Sequence, residues 1–374
     1  MGDALAEHFG YIDDATRLDR FRAAIAGEIH PGATVADIGC GFGVLGMLCL
    51  QAGAARVWGI DETEALAIAS EAMARAGLAE RYTTIAGSSF QTSLPEPVDL
   101  VLCDHVGYFG IDYGVIATLG DARRRLLKPS GRIMPRRILL QVAAVESEAC
   151  RKLAARWTGA AIPAEFEWLR DYDANTRHPY DFTSGELASA AAELGAIDLR
   201  EDSPPHLRFS ARLEALRDGA LDGLAGWFAC ELADGVWMSN SPLAAGAIRR
   251  HQAFLPFATP LAVQAGDVVD VSISMRHEET LIAWSARVER SGEVRKQSTW
   301  ASKILDPRDR IPPAERVPRL NAYGRARKTL LERVDGTASA VDIESAVVRG
   351  HEGLFPATED IARFVRRELG RSTE

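Results

Sequence analysis

The chain has 374 residues, 47% hydrophobic and 25% charged, the mix of a globular protein with a real core and two or three domains. Lys and Arg number 43 against 52 Asp and Glu, a formal charge of −9, which argues against nonspecific nucleic-acid binding because that needs clustered positive charge. The five Cys share no CxxC or His-pair spacing, so they read as free thiols in a reducing cytoplasm and offer no metal site. No secretory leader and no run of 18 apolar residues is visible, so a cytoplasmic protein with no membrane span is expected. Only five of the basic residues are Lys, a bias that fits a GC-rich genome and carries no mechanism.

Leu18, Phe21, Ile25 and Ile29 recur at helical spacing and predict a helix over 12–29. Strands are expected at Thr34–Ile38, Arg56–Ile60, Tyr82–Ile85, Val98–Cys103 and Arg132–Met134, with helices at about 44–52 and 64–76. This alternation predicts a mostly parallel sheet with helices on both faces and a ligand at the C-terminal ends of the strands. After Pro135-Arg136-Arg137 the rhythm changes. Ile138–Val145 reads as a strand, 146–200 as helical or irregular, and β patterns dominate 206–305. Val269, Val271 and Ile273 alternate, as do Ile282, Trp284 and Ala286, so a β-barrel or sandwich is expected there. Residues 307–318 are a linker rich in Pro and charge, and 324–371 reads as two or three short helices.

Chemistry concentrates where the first strand ends. Asp37-Ile38-Gly39-Cys40-Gly41-Phe42-Gly43 closes it and Asp61 closes the second. Glycines at 39, 41 and 43 let the backbone approach a ligand, the next helix offers its N-terminus, and an acidic residue ending strand two accepts ribose hydroxyls. The spacing is GxGxG rather than the GxGxxG of dinucleotide sites, and Asp37 stands two residues ahead of the first glycine. A carboxylate there suits the cationic amino end of S-adenosylmethionine better than a pyrophosphate.

VADIGCGFGVLGMLCLQAGAARVWGID resembles the cofactor motif of protein arginine methyltransferases. HFGYIDDATRLDRFRAAI resembles the N-terminal helix that folds over the cofactor in that family, and VDLVLCDHVGYFGIDYGVIATLGDARRRLLKPSGRIMPRR resembles its acceptor loop with the following helix and strand. WFACELADGVWMSNSP and HQAFLPFATPLAVQAGD resemble part of its β-barrel domain. The likeness covers about 8–305. It implies an α/β Rossmann-like class I methyltransferase domain followed by a β-barrel domain and a short helical C-terminal segment. The expected parts are a cofactor-covering helix (1–30), the cofactor domain (31–137), the barrel with a dimerisation arm around 165–195 (138–305), and a linker with helices (306–374).

Carried over by position, the resemblance implies that Arg17 pairs with the methionine carboxylate and Asp61 with the ribose. Gly39, Gly41 and Gly43 line the cofactor, Asp37 belongs to the same motif, and Ser89 and Phe90 fall near the adenine. The departures lie on the acceptor side. The two glutamates with which the family grips a guanidinium align with Asp104 and Tyr113, with Asp112 just before the latter, and the Thr-His-Trp stretch of the barrel aligns with Ile248-Arg249-Arg250. A guanidinium stays protonated in water and is oriented by planar carboxylates, so the clamp is altered. Asp104 accepts a proton or orients the nucleophile, Asp112 reaches the acceptor if its helix turns by one residue, and Tyr113 hydrogen-bonds an amine or carbonyl. His105 is either a general base or a buried ring in place of the family's aromatic.

The resulting expectation is an N-methyltransferase that converts S-adenosylmethionine to S-adenosylhomocysteine, acts on a guanidine or amine of a peptide, protein or small molecule, and forms a homodimer. O-methylation and a non-catalytic scaffold are the rival readings. Between Arg316 and Arg333 lie six basic residues and one acidic, a solvated face or a receiver for an acidic peptide, and 330–369 faintly resembles the helical half of PqqD-like peptide-binding domains.

Overall fold

The computed structural model describes residues 2–159, 161–278, 280–303, 317–351, 354 and 358–373. The chain divides into two compact units, Met1–Lys303 and Ile304–Glu374.

The first unit opens with two helices, α1 (Gly2–Asp13) and α2 (Ala15–Glu28), where the periodicity suggested one helix starting at 12. The break falls at Asp14, whose carboxylate accepts the N–H of Arg17 and caps α2. Asp competes for backbone donors more readily than it continues a helix, so it starts one instead. The buried face of α2 is Leu18, Phe21, Ala24 and Ile25, as the spacing predicts.

Next come β1 (Thr34–Ile38), α3 (Val44–Gln51), β2 (Arg56–Asp61), α4 (Ala65–Arg75), β3 (Tyr82–Ala86), β4 (Val98–Cys103), α5 (Val115–Arg125) and β5 (Leu127–Met134). Their five strands form one parallel sheet in the order β3-β2-β1-β4-β5. Every residue of β1 is buried, as a central strand covered on both faces requires. The order reverses direction between β1 and β4, and the crevice outside the C-terminal ends of those two strands is where such sheets bind ligands.

The chain then enters antiparallel structure through β6 (Arg137–Val145), α6 (Glu148–Ala154), α7 (Leu169–Ala174), β7 (His178–Tyr180), β8 (Ala192–Asp198), β9 (His206–Glu214), β10 (Gly219–Ala233), β11 (Val236–Ser239), β12 (Gln252–Val263), β13 (Val268–Arg276), β14 (Leu281–Val288) and β15 (Val294–Ser298). One sheet of six strands runs β7-β12-β10-β6-β8, with β11 on β10, and one of four runs β15-β14-β13-β9. The barrel expectation resolves into these two ladders, with no closed ring of strands among the described residues. Val269, Val271, Ile273 and Met275 of β13 are buried beside Ile282, Trp284, Ala286 and Val288 of β14, the alternation read from the sequence. The expected linker falls mostly on 304–316, outside the described residues.

In the second unit, α8 (Ala322–Leu331), α9 (Ala340–Gly350) and α10 (Thr358–Ser372) pack around Leu330, Val347, Phe364 and Val365.

Candidate active site

The loop between β1 and α3 passes through three glycines with positive φ, +66° at Gly39, +52° at Gly41 and +75° at Gly43, a conformation other residues adopt only with strain. Gly43 serves as the N-cap of α3 and packs against Tyr82 and Met73 rather than lining the pocket. At the other two the space is already taken. A Cβ on Gly39 would lie 2.0 Å from His105 Nε2, and one on Gly41 2.6 Å from His8 Nε2. The two imidazoles thus press on the loop.

A cavity of about 490 Å³ opens over this loop, inside the ~300–1,000 Å³ span of small-molecule sites. Arg17, Asp37, Asp61, Ser89 and Phe90 all line it, and so do Asp104, His105 and Tyr113. Asp37 is buried and accepts the Gly46 N–H at 2.9 Å; burial pushes its pKa up to about 7. Asp61 accepts the Gly41 N–H at 2.9 Å on one oxygen, and the Thr63 N–H at 2.8 Å and hydroxyl at 2.6 Å on the other. A carboxylate has about four acceptor positions, so roughly one is left for a ligand hydroxyl. The Ser89 carbonyl is held by Arg125 Nη2 at 2.6 Å, which fixes the strip carrying the half-exposed Phe90 ring.

S-adenosylmethionine fits this donor set: a buried carboxylate for a cationic amino group, a guanidinium for a carboxylate, an acidic residue at the end of β2, and a glycine loop with no room for a side chain. His8, which the motif reading passed over, adds a buried Nδ1 without a hydrogen-bond partner, and its ring packs at a tilt of 48° against Phe42 with centroids 4.1 Å apart. Its signal was the His at the head of the N-terminal segment.

On the acceptor side, Asp104 follows β4 and is sandwiched between Arg17 Nε and Arg250 Nη2, each 2.8 Å away. Burial pushes its pKa up, but the Arg250 and Arg17 guanidinium groups outweigh this and hold it down at about 2. It is therefore a poor proton acceptor and a strong orienting group. His105 is pushed up to about 9 by the neighbouring Cys103 sulfur first and also by the Asp104 and Asp61 carboxylates. These neighbours favour the charged form of the ring, which argues against the general-base alternative and leaves the reading of a ring packed against Gly39.

Asp112 does not reach the pocket. Its carboxylate is turned inward, accepts the Tyr108 N–H at 3.1 Å and the Phe109 N–H at 2.9 Å, and lies 3.3 Å from Arg177 Nε. Those bonds shape the acceptor loop and leave no carboxylate for an acceptor, so the expectation that it contacts one is corrected. Tyr113 is the member of the pair that faces the cavity, its ring at an edge-on 5.5 Å from Tyr108, and burial pushes its phenol up. The loop is pinned to the antiparallel region: Asn240 Nδ2 donates to the Tyr108 carbonyl at 2.8 Å, and the Phe109 ring fills the space over Gly226, where a Cβ would sit 2.6 Å from it. Arg249 and Arg250, placed by the resemblance where the family keeps His and Trp, point different ways: Arg250 into the pocket, Arg249 onto Asp13.

A family model described as a methyltransferase domain matches residues 35–131. The arginine N(omega)-methyltransferase of Streptomyces achromogenes subsp. streptozoticus is 30% identical over 272 residues, covering 70% of this chain and 74% of that protein. Protein arginine N-methyltransferase 1 of Dictyostelium discoideum is 26% identical over 274 residues, 70% of this chain and 80% of that one. Among solved structures, a Trypanosoma brucei PRMT1 enzyme–prozyme heterotetrameric complex with AdoHcy superposes at a TM-score of 0.67, with 20% identity over 78% of this chain and 96% of that one. Arabidopsis thaliana protein arginine methyltransferase 10 does so at 0.67, with 20% identity over 79% of this chain and 98% of that one. These two structures share the parallel sheet followed by antiparallel sheets. With the glycine loop, the acidic end of β2 and a relative 30% identical along most of its length, the chain belongs to the arginine methyltransferase family of S-adenosylmethionine-dependent enzymes.

Proposed function

We propose that the protein methylates a guanidine nitrogen, on a peptide, a protein or a small guanidino compound. The observation that carries this reading is the placement of Asp104: a carboxylate only 11% exposed, facing the same cavity as the cofactor loop and already bonded to guanidinium groups. When bound, S-adenosylmethionine supplies a methyl group on a cationic sulfur and leaves as S-adenosylhomocysteine. Arg17 takes the cofactor's carboxylate, Asp37 its amino end and Asp61 its ribose, while Ser89 and Phe90 flank the base. Gly39 and Gly41 admit the ligand to the backbone, and Gly43 starts α3 behind them.

On the other side Asp104 accepts an N–H of the acceptor, and Tyr108 and Tyr113 wall it in so that the nitrogen lone pair lines up with the bond to be broken. As the new N–C bond forms and the S–C bond breaks, the nitrogen sheds a proton. We assign that proton to water at the mouth, where Tyr113 is exposed, because two guanidinium groups keep Asp104 a weak base and the neighbours of His105 favour its charged form. The names of the relatives, an arginine N(omega)-methyltransferase and a protein arginine N-methyltransferase, support a guanidine over the hydroxyl and scaffold alternatives.

We also infer a homodimer. Phe166 and Trp168 lie two residues apart in the segment read as the arm and are about half exposed, an apolar pair that a partner protomer would cover. The five buried unpaired thiols fit a cytoplasmic setting. No helix is long and apolar enough to cross a membrane among the described residues.

The test is direct. Purified protein is incubated with S-adenosylmethionine and, separately, free arginine, agmatine and an arginine-rich peptide, and products are read by mass spectrometry. Cofactor binding without a methyl group gained by any of the three would sink the guanidine reading.

A further inference from the structure

Asp104 holds more positive charge than it balances. Its Oδ2 accepts from Arg17 Nε at 2.8 Å and from Arg250 Nη2 at 2.8 Å, and its Oδ1 from Arg250 Nη1 at 3.3 Å. Both arginine side chains are 8% exposed, and the Tyr11 ring lies 5.4 Å from each guanidinium carbon. A surplus buried cation is unfavourable and is relieved when one of the two takes up an anion.

The geometry shows which arginine is free to go. Arg17 touches Asp104 through Nε alone, and its Nη1 donates to the Tyr11 carbonyl at 3.0 Å. Arg250 grips both carboxylate oxygens as a fork. On the functional reading above, on which this inference rests, Arg17 turns to the cofactor's carboxylate and Arg250 stays. A carboxylate has about four acceptor positions, and Arg250 continues to occupy two. Its own fork already has the pairing that an incoming guanidinium would seek on a free carboxylate. The family's second glutamate is no substitute, since Tyr113 stands in its place.

We propose that Arg250 is the specificity-determining residue of the acceptor site: by holding both oxygens of Asp104 from one edge it leaves one outer position on each, too far apart for one guanidinium to fork across, and so confines the acceptor to a single hydrogen bond there. The pocket thereby discriminates against acceptors whose binding depends on forked pairing with a carboxylate. Arg250 also keeps Asp104 ionised once Arg17 has moved, as the largest of the charge contacts that hold that carboxyl down.

The experiment compares wild type, Arg250→Met and Arg250→Lys. For each, S-adenosylhomocysteine affinity is measured by calorimetry, and kcat, KM for a guanidine acceptor and the pH dependence of kcat/KM by initial rates. Arg250→Met is expected still to bind S-adenosylhomocysteine, weakened by up to about tenfold because the surplus cation that favours release of Arg17 from Asp104 is gone. Its acceptor KM should fall about tenfold as the fork position on Asp104 opens, one charge-assisted hydrogen bond's worth. An acid limb should enter its pH profile because Asp104 loses its main partner. Arg250→Lys keeps the charge without the fork, so its KM should lie between the two and its pH profile should match wild type. Unchanged KM and pH profile in Arg250→Met overturn the proposal, and so does loss of S-adenosylhomocysteine binding, which would make Arg250 a brace for the N-terminal helices. A wild type that methylates no guanidine overturns the functional reading, and this inference with it; a lowered acceptor KM in an active Arg250→Met enzyme supports both, and a raised one overturns this inference alone.

Discussion

Asp14 ties the N-terminal cover to the antiparallel region: one carboxylate oxygen accepts the Arg17 N–H at 3.1 Å and the other the Arg249 N–H at 2.7 Å. The same corner is held from outside by the Arg249 side chain on Asp13. Replacing Asp14 by Ala removes a helix cap and leaves a buried N–H without a partner, at a cost of about 1–3 kcal/mol. Urea denaturation should show that loss, and calorimetry a weaker affinity for S-adenosylhomocysteine, since Tyr11 and Arg17 flank this corner. Asp14→Asn, which can still cap, should lose less of both.

Gly39→Ala should abolish useful cofactor binding. The left-handed backbone costs an alanine about 1–2 kcal/mol, and the new Cβ would overlap the His105 ring, so His105 must swing into the pocket. We expect at least a hundredfold weaker S-adenosylhomocysteine binding and an unfolding midpoint lower by a few degrees, with the fold retained. Binding within a few-fold of wild type would contradict the placement of this loop.

Cofactor affinity should depend on pH through Asp37. Its pKa is raised to about 7 in the free protein, so it is largely protonated near pH 6. A cationic amino group draws out the ionised form, so binding releases a proton and tightens as pH rises through about 7, by up to about tenfold per unit below that point. For folding the sign is opposite. The native state holds a proton that the unfolded chain gives up near its ordinary value, so this group's contribution to stability declines between about pH 4 and pH 7. Calorimetry in buffers of different ionisation enthalpy near pH 6 and pH 8 measures the proton, and Asp37→Asn should remove the pH dependence.

Asp112→Ala should lower turnover while sparing cofactor affinity. It frees the N–H groups of Tyr108 and Phe109 and leaves Arg177 without its carboxylate, with a stability loss of about 2–4 kcal/mol. If S-adenosylhomocysteine binding fell in parallel with turnover, Asp112 would be acting beyond the acceptor loop. Tyr113→Phe keeps the ring and should cost turnover far less.

Light scattering should report twice the chain mass. Trp168→Asp, at an exposed position of the proposed arm, should yield the monomer; a monomeric wild type would refute the arm assignment.

Legibility from sequence followed the physics that shaped each part. The cofactor half was readable because strand, glycine turn, helix and terminal Asp lie close together along the chain, so Asp37, Gly39, Gly41 and Asp61 could be placed without long-range knowledge. β8 was not. The run Ala192–Asp198 is rich in good helix formers, and it is a strand because it pairs antiparallel with β6, a partner over fifty positions away. The acceptor side failed for a related reason. Asp112 and Tyr113 are neighbours in sequence, and only the turn after Gly107 decides that one carboxylate closes the loop while the other side chain faces the cavity. Arg250 lies 146 positions from Asp104, and no local pattern announces that they meet.

The Phe109 ring seated over Gly226 has a practical consequence for anyone who would cut or recombine this enzyme. Half of that contact belongs to the parallel sheet's loop and half to β10, so a fragment ending near residue 137 would present a fully buried ring to water and lose the Asn240 bond that positions Tyr108. Acceptor loops exchanged between relatives would need their cognate residue at 226 to travel with them. The transferable module is the loop together with its seat on the neighbouring sheet.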